Sequence, residues 1–255
     1  MKSCTYIILG ALAFVLISPA FAGEKLKIFI LAGQSNMEGA GAIRGNMERN
    51  GGQGGLEHLV KDTATAERFA HLVDADGEWV VRDDVSIWYL GRTGGLTVGY
   101  GAKEDRIGPE LQFGNVVGDH YDEPVLLIKT AWGGKNLHVD FRPPSAGGAI
   151  GPYYTRMLAE YAEGVMDAQR RFPALRGRTP ELAGFIWFQG WNDMVDRDTY
   201  PQRDQPGGYA QYTECLKHLI RDVRKDLSAP NMPFIIGVMG VDGVQDKPNY
   251  FRQAM

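Results

Sequence analysis

Five short, continuous runs of apolar residues alternate along the chain with segments of helical periodicity. The runs cover residues 27–32, 85–90, 124–129, 183–188 and 233–239. Runs of this length without polar alternation are typical of strands that are buried on both faces of a parallel sheet. The pattern therefore predicts five strands of one buried, parallel sheet.

Helical patterns lie between these runs, at residues 109–120, 152–172 and 208–227. The first begins with Pro109, a residue that costs nothing in the first turn of a helix, where its missing N–H would have no partner. The third places a set of apolar residues on one face, namely Tyr212, Cys215, Leu216, Leu219 and Val223. A further helix is expected to start after Asn249. Strands that alternate with helices predict βαβ units in a doubly wound α/β fold.

Two long segments, residues 39–84 and 140–151, are rich in glycine or proline and show little periodicity. Loops this long in a compact domain are usually functional or disordered. In open α/β sheets, ligands bind at the carboxyl ends of the strands. The candidate chemistry is therefore expected in the three clusters that follow the apolar runs, at residues 33–36, 130–134 and 189–193.

Ser35 directly follows the first predicted strand, where a strand-to-helix turn would expose its hydroxyl to a substrate. The same position also suits a serine that merely caps a helix. Gly133 and Gly134 follow another strand, and their N–H groups can approach a substrate oxygen or simply form a turn. Gln189 and Asn192 offer side-chain amides that could complete an oxyanion hole, or they are ordinary loop residues.

Four stretches resemble one known family. LAGQSNMEGAG at residues 31–41 resembles the first block of the SGNH hydrolases, in the sialate O-acetylesterase and acetyl xylan esterase branch. IGPELQFG at 107–114, KTAWGGKNL at 129–137 and WFQGWND at 187–193 resemble the same branch in order and spacing. The resemblance covers nearly all of the chain after residue 22.

The resemblance implies a flavodoxin-like three-layer α/β/α sandwich with a central parallel sheet. It also implies a carbohydrate acetylesterase with Ser35 as its nucleophile. The oxyanion hole would use the N–H of Ser35, an N–H of Gly133 or Gly134, and a side-chain amide. Gln189 is favoured over Asn192 for that amide, because the alignment of the whole block places Gln189 there.

Side chains near the expected site are candidates for contacts with an acetylated carbohydrate. Arg142 and Trp132 could contact sugar hydroxyls or rings, although packing of the 140–151 loop explains both equally well. Trp191 stands where the branch often has glutamate, and Asp193 either orients a neighbour or caps a helix. The candidate substrate-binding set is Gln34, Asn36, Trp132, His138, Arg142, Trp191 and Asp193.

The family places its general base in an Asp-x-x-His block near the C-terminus, and this chain contains no such block. Its histidines are His58, His71, His120, His138 and His218. We therefore expect a truncated chain, or else a complete chain with a displaced or absent base. The second case would favour a carbohydrate-binding protein with a degenerate hydrolase fold. A lipase or thioesterase fits less well, because the chain has GQSNM rather than GDS.

The net charge and the N-terminal sequence indicate which partners and which location to expect for this protein. The formal net charge of −4 argues against a nucleic-acid surface, which needs clustered Lys and Arg. Lys2, an apolar run over 6–17 and the small-x-small triplet at 20–22 predict a signal peptide at residues 1–22. Residues 23–255 would form the esterase domain, secreted or periplasmic and outside the membrane. No spacing suggests a metal or cofactor, and Cys215 is expected to be buried packing.

Overall fold

The computed structural model describes residues 24–239 and 249–255. The strands are β1 (Lys25–Gly33), β2 (Gly41–Ala42), β3 (Val85–Tyr89), β4 (Arg92–Gly95), β5 (Arg106–Ile107), β6 (Val125–Ala131), β7 (Thr179–Phe188) and β8 (Phe234–Ile236). The α-helices are α1 (Ser35–Glu38), α2 (Met47–Asn50), α3 (Leu56–Leu59), α4 (Ala66–Phe69), α5 (Pro109–His120), α6 (Pro152–Arg171), α7 (Trp191–Val195), α8 (Ala210–Asp226) and α9 (Tyr250–Ala254). The predicted signal peptide lies outside the described residues.

A six-stranded sheet in the order β4-β3-β6-β1-β7-β8 forms the centre of the fold. All neighbouring strands in it are parallel except β3 and β4, which form an antiparallel hairpin at one edge. All five predicted strands are present, as β1, β3, β6, β7 and β8. The α/β fold with a largely parallel central sheet is therefore confirmed.

The apolar strands separate two layers of helices, because alternate side chains of each strand point to opposite faces. Phe29 and Leu31 of β1 belong to a core that packs against α5. Ile30 and Ala32 belong to a second core, which includes buried residues of α6, α8 and α9. Cys215 lies in this second core, and burial raises the pKa of its thiol to about 12, which agrees with a packing role.

The predicted boundaries hold to within a few residues, and the exceptions have local causes. The predicted strand at 85–90 ends at Tyr89, because Leu90 and Gly91 both adopt positive φ angles of 49° and 78°. Two such residues form the tight turn that joins antiparallel strands with a right-handed twist. The segment at 39–84 contains β2 and the short helices α2, α3 and α4, with a 3-10 helix at Ala70–Leu72.

The carboxyl ends of β6, β1 and β7 lie side by side at the centre of the sheet. Strand β1 is the point at which the chain changes direction, since β3 and β6 lie on one side of it and β7 and β8 on the other. Such a switch point opens a crevice for ligands in doubly wound sheets. The three predicted site clusters therefore meet at one edge of the fold.

Candidate active site

Ser35 is the first residue of α1 and lies just beyond the end of β1. The preceding backbone is tied to β7, because Gln34 N donates to Phe188 O at 3.3 Å. Gln34 O then accepts from both Met37 N and Glu38 N, at 2.8 and 2.9 Å, which closes the first turn. The Ser35 residue is exposed, so its hydroxyl is accessible for nucleophilic attack.

Gln34 is fully buried and joins the ends of β1 and β7. Its Oε1 accepts from Gln189 Nε2, Gly190 N and Asn192 N, at 3.2, 3.1 and 3.2 Å. Its Nε2 donates to Asn192 Oδ1 at 2.9 Å and lies 3.5 Å from Ser35 Oγ. The predicted substrate contact by Gln34 does not fit this burial; the side chain instead lies beneath Ser35 and holds the turn that carries it.

Gln189 is also fully buried, and protein acceptors surround its amide nitrogen. Nε2 lies 2.6 Å from Asp193 Oδ2, 3.1 Å from Lys135 O and 3.2 Å from Gln34 Oε1. An amide NH₂ carries two hydrogens, so these acceptors leave it no donor for a substrate. The preference for Gln189 as the oxyanion amide therefore does not fit the geometry.

Asn192 occupies the exposed side of the same network and is only partly buried. Its Nδ2 donates to Gly134 O at 2.9 Å, and its Oδ1 accepts from Gln34. One amide hydrogen is thus used within the protein, and the other has no acceptor among the described contacts. Asn192 links the clusters that follow all three strands, and it is the better placed of the two candidate amides.

Asp193 is fully buried and accepts four hydrogen bonds. The donors are Leu137 N at 2.8 Å, His138 N at 3.2 Å, Gln189 Nε2 at 2.6 Å and Tyr200 OH at 3.0 Å. Burial raises the pKa of this carboxyl, and the four donors oppose that shift. Asp193 therefore orients Gln189 and the 137–138 backbone, and its burial does not fit a direct substrate contact.

Gly133 and Gly134 are both exposed, and Gly133 lies beside Ser35. A Cβ on Gly133 would lie 3.9 Å from Ser35 Cβ and 2.9 Å from Glu38 Oε2, and the second distance is too short for a real side chain. The missing side chain of Gly133 thus leaves space for the carboxylate of Glu38. Glu38 Oε1 lies 3.5 Å from Tyr89 OH, a side chain that also donates to Ala131 O at 3.1 Å.

A fully buried ion pair lies behind α1. Lys129 Nζ contacts Glu110 Oε2 at 2.6 Å, and both side chains have 0% exposure. The same Nζ donates to Glu38 O at 2.6 Å and to Tyr100 O at 2.7 Å. Burial lowers the pKa of Lys129 and raises that of Glu110, while their mutual attraction opposes both shifts.

The remaining predicted substrate contacts divide into buried and exposed residues. Trp132 is buried and packs against Phe141 and Tyr153, with ring centroids 5.9 and 5.1 Å away, so its packing explanation is the one that fits. Arg142 contacts the carbonyl and the ring of His138 and so braces that loop. Trp191, which is 47% exposed, and Asn36 remain accessible on the site surface.

His138 is the histidine that contacts the network around Ser35, through its backbone bond to Asp193. Its Nε2 lies 3.3 Å from Arg142 and its Nδ1 3.3 Å from Gln211 Nε2. Burial, then the charge of Arg142, lowers the pKa of His138 below its usual 6.5. The other histidines have partners elsewhere, such as Asp62 for His58, Gln112 for His71, Tyr121 for His120 and Ser145 for His218.

Sequence reasoning missed Glu38, Tyr89, Glu110 and Lys129 as parts of the site. The available signal was Lys129 itself, a charged residue at the end of an otherwise apolar run. Within residues 24–239 and 249–255, no group of three or more His, Cys, Asp or Glu side chains is arranged to hold a metal ion. No helix in the same ranges is long and apolar enough to cross a membrane.

Several solved structures are similar to this chain at low sequence identity. A protein from Arabidopsis thaliana is 18% identical, with 89% of this chain and 79% of that chain covered and a TM-score of 0.54. NanS is 14% identical, with 91% and 71% covered and a TM-score of 0.51. XAC1771, described as a novel carbohydrate acetylesterase from Xanthomonas citri, is 14% identical, with 89% and 46% covered and a TM-score of 0.47. None of the curated proteins matches this chain in sequence.

A match to a family model tests the family membership that the motifs indicated. The model described as "Carbohydrate esterase, sialic acid-specific acetylesterase" matches residues 25–254. The matched range includes the turn at Ser35, both glycines after β6 and the amide cluster after β7. The resemblance seen in the motifs is thereby confirmed, and this chain belongs to the sialic acid-specific acetylesterase family of carbohydrate esterases.

Proposed function

We propose that this protein hydrolyses O-acetyl esters on carbohydrate through an acetyl-serine intermediate at Ser35. The observation that carries the proposal is the meeting of Ser35, Gly133 and Asn192 at the ends of three adjacent strands. Ser35 is exposed, Gly133 lies against it, and Asn192 keeps an amide hydrogen that no described residue accepts. The family assignment supports the esterase class, and acetylated carbohydrate is the proposed substrate.

The proposed reaction has two acyl-transfer steps. Ser35 Oγ attacks the acetyl carbonyl carbon and gives its proton to a general base, for which the family resemblance expects a histidine. The tetrahedral oxyanion accepts hydrogen bonds from the N–H of Ser35, the N–H of Gly133 or Gly134, and Nδ2 of Asn192. The bond to the sugar oxygen then breaks, and the sugar hydroxyl leaves with a proton. Water cleaves the acetyl-serine by the same route and releases acetate.

Trp191 is the proposed platform for the carbohydrate. It is the first residue of α7, next to Asn192, and its side chain is 47% exposed. An aromatic side chain that is exposed beside polar groups suits a sugar ring, because one face of the ring is apolar. Asn36 directly follows Ser35, is exposed, and offers an amide to sugar hydroxyls.

Acetate release from 4-nitrophenyl acetate and from O-acetylated sugars tests the proposal. Ser35→Ala is expected to lower kcat at least about a thousandfold, because the acetyl-serine cannot form. Ser145→Ala is the matched control, since Ser145 is another exposed serine and its hydroxyl contacts His218 Nδ1 at 2.7 Å. A fluorophosphonate probe should label the wild type on Ser35.

The competing function is carbohydrate binding by a degenerate hydrolase. It would be supported if the wild type binds acetylated sugars, releases no acetate, and keeps its affinity in the Ser35→Ala variant. Export is tested separately by sequencing the N-terminus of the mature protein, which is proposed to start near Gly23 and to be secreted or periplasmic.

A further inference from the structure

A charged pair with no access to solvent lies directly behind the nucleophile turn. Lys129 and Glu110 both have 0% side-chain exposure, and their charged atoms are 2.6 Å apart. Removing two charges from water is unfavourable, so replacing such a pair with neutral side chains of similar size often leaves stability unchanged or even raises it. The pair therefore has no clear advantage for stability alone, and its position suggests another role.

Each hydrogen-bonding atom of the pair has a specific partner. The three hydrogens of the Lys129 ammonium match three acceptors, which are Glu110 Oε2, Glu38 O and Tyr100 O. The remaining carboxylate oxygen, Glu110 Oε1, accepts from Gly108 N at 2.7 Å. Lys129 also lies 4.6 Å from the centre of the Tyr89 ring.

These partners form the C-terminal end of the nucleophile helix and the backbone against which it rests. Glu38 is the last residue of α1, and Gly39 N donates to Ser35 O at 2.9 Å. A Cβ on Gly39 would lie 2.0 Å from Gly108 Cα, so the two backbones touch where Lys129 and Glu110 hold them. Helix α1 has only four residues, and so few hydrogen bonds cannot stabilise a helix without outside contacts.

We propose that the Lys129–Glu110 pair positions Ser35 by fixing the C-terminal end of α1 against the backbone at Gly108. Neither side chain reaches substrate, since both are completely buried. They act through the Glu38 carbonyl and the Gly108 N–H, and they are positioning residues rather than catalytic ones. The proposal concerns the esterase reaction proposed above, but one of its readouts does not depend on that reaction.

The test replaces the pair with neutral side chains of similar size, in the double variant Lys129→Met/Glu110→Gln. The amide introduced at position 110 retains an acceptor for Gly108 N, while Glu38 O loses its donor. The matched control is Lys27→Met/Glu181→Gln, because Lys27 Nζ contacts Glu181 Oε1 at 2.7 Å near the opposite end of β1. The readouts are kcat and KM for 4-nitrophenyl acetate and the hydrogen-exchange rates of the Glu38 and Gly39 amides.

If the proposal is right, the Lys129→Met/Glu110→Gln variant loses at least tenfold in kcat with less than a twofold change in KM. Exchange at the Glu38 and Gly39 amides becomes at least tenfold faster, and neither change occurs in the control. Wild-type kcat together with unchanged exchange at these amides would overturn the proposal. If the double variant does not fold, Glu110→Gln alone, which keeps Lys129 on Glu38 O, is expected to show smaller changes in the same direction, and unchanged values there would overturn it.

The two proposals fail in different ways. If the wild type releases no acetate, the proposed function fails, and the exchange rates alone decide whether the pair positions α1. If the wild type is active and the double variant matches it in both readouts, the esterase assignment stands and the positioning role is rejected.

Discussion

Ser35 lies between two polar regions that differ in charge and in access to solvent. On the β7 side, the amides of Gln34, Gln189 and Asn192 interlock with the carboxylate of Asp193. On the β6 side, a single ion pair between Lys129 and Glu110 is closed off from solvent. We refer to these as the amide flank and the charged flank.

The two flanks differ in the roles that they can play, because the amide flank includes a residue that can contact substrate and the charged flank does not. Most residues of the amide flank are fully buried. Asn192 is partly exposed and retains an amide hydrogen that a substrate can accept. The charged flank has no exposed member, so it cannot contact substrate, and its proposed influence on the reaction runs through the backbone groups that it holds. On the amide flank, substitution of an exposed residue should therefore mainly lower the rate, and substitution of a buried residue should mainly lower the stability. The following predictions test this expectation.

Among substitutions on the two flanks, the largest loss of rate is expected at Asn192, because Asn192 is the proposed oxyanion donor. Asn192→Ala should lower kcat by about a hundred- to a thousandfold, the usual cost of losing one oxyanion donor. Gln189→Leu should mainly lower the free energy of unfolding, since its amide contacts only protein atoms. Steady-state kinetics and urea unfolding of both variants test this expectation. If a folded Gln189→Leu variant loses more rate than Asn192→Ala, Gln189 rather than Asn192 is the oxyanion donor.

The Asp193→Asn substitution tests the buried part of the amide flank. An asparagine can accept with only one of the two atoms that replace the carboxylate oxygens, so two of the four buried donors lose their acceptor. A buried donor without a partner costs about 1–3 kcal/mol, so we expect the free energy of unfolding to fall by about 2–3 kcal/mol. Asp198→Asn is the control, because Asp198 is exposed. Equal unfolding free energies in the two variants would show that the buried carboxylate is not needed to hold this flank.

Gly133→Ala probes the space between the flanks. Its Cβ would lie 2.9 Å from Glu38 Oε2, the end of a flexible side chain that can move, and 3.9 Å from Ser35 Cβ. We expect kcat/KM to fall about tenfold, which corresponds to about 1.4 kcal/mol, with little change in unfolding free energy. If displacement of Glu38 is the cause, the same substitution in a Glu38→Ala background should cost clearly less. Equal losses in both backgrounds would point to crowding of Ser35 instead.

The sequence could predict the fold and could bring together the exposed residues of the candidate site, because both depend on local patterns. Continuous apolar runs identified the buried strands, and the ends of those strands placed Ser35, Gly133 and Asn192 in neighbouring clusters. Burial within a cluster is not visible in such a pattern. Gln189 and Asn192 carry the same functional group, and only the packed chain decides which amide faces solvent. Trp132 was likewise open to two interpretations, and the core around Phe141 decides for packing.

The charged flank was harder to predict, because its two members come from different elements of the fold. Glu110 lies in the first turn of α5 and Lys129 near the end of β6. Their contact depends on how α5 packs against the sheet, which no spacing in the sequence specifies. A lysine inside an apolar strand does indicate a buried partner, since an unpaired buried charge is strongly unfavourable. That rule predicts that a partner exists, but it does not identify which one.

The smallest expected effect is a loss of folding stability at low pH. It should arise from the protonation of His138, whose backbone N–H donates to Asp193 of the amide flank. Burial and Arg142 lower the pKa of this imidazole in the folded protein, so folding favours its neutral form. The stability that depends on neutral His138 is present above a pH of about 6.5, and it is lost as the pH falls through that value towards the folded pKa. Since the ring is partly exposed, we expect a loss below about 1 kcal/mol. Unfolding at pH 7 and pH 5 should therefore differ less in His138→Gln than in the wild type, with His120→Gln as the control. If His138→Gln retains the full pH dependence of the wild type, the acid sensitivity of this flank must come from other groups, and the buried carboxylate of Asp193 becomes the next candidate.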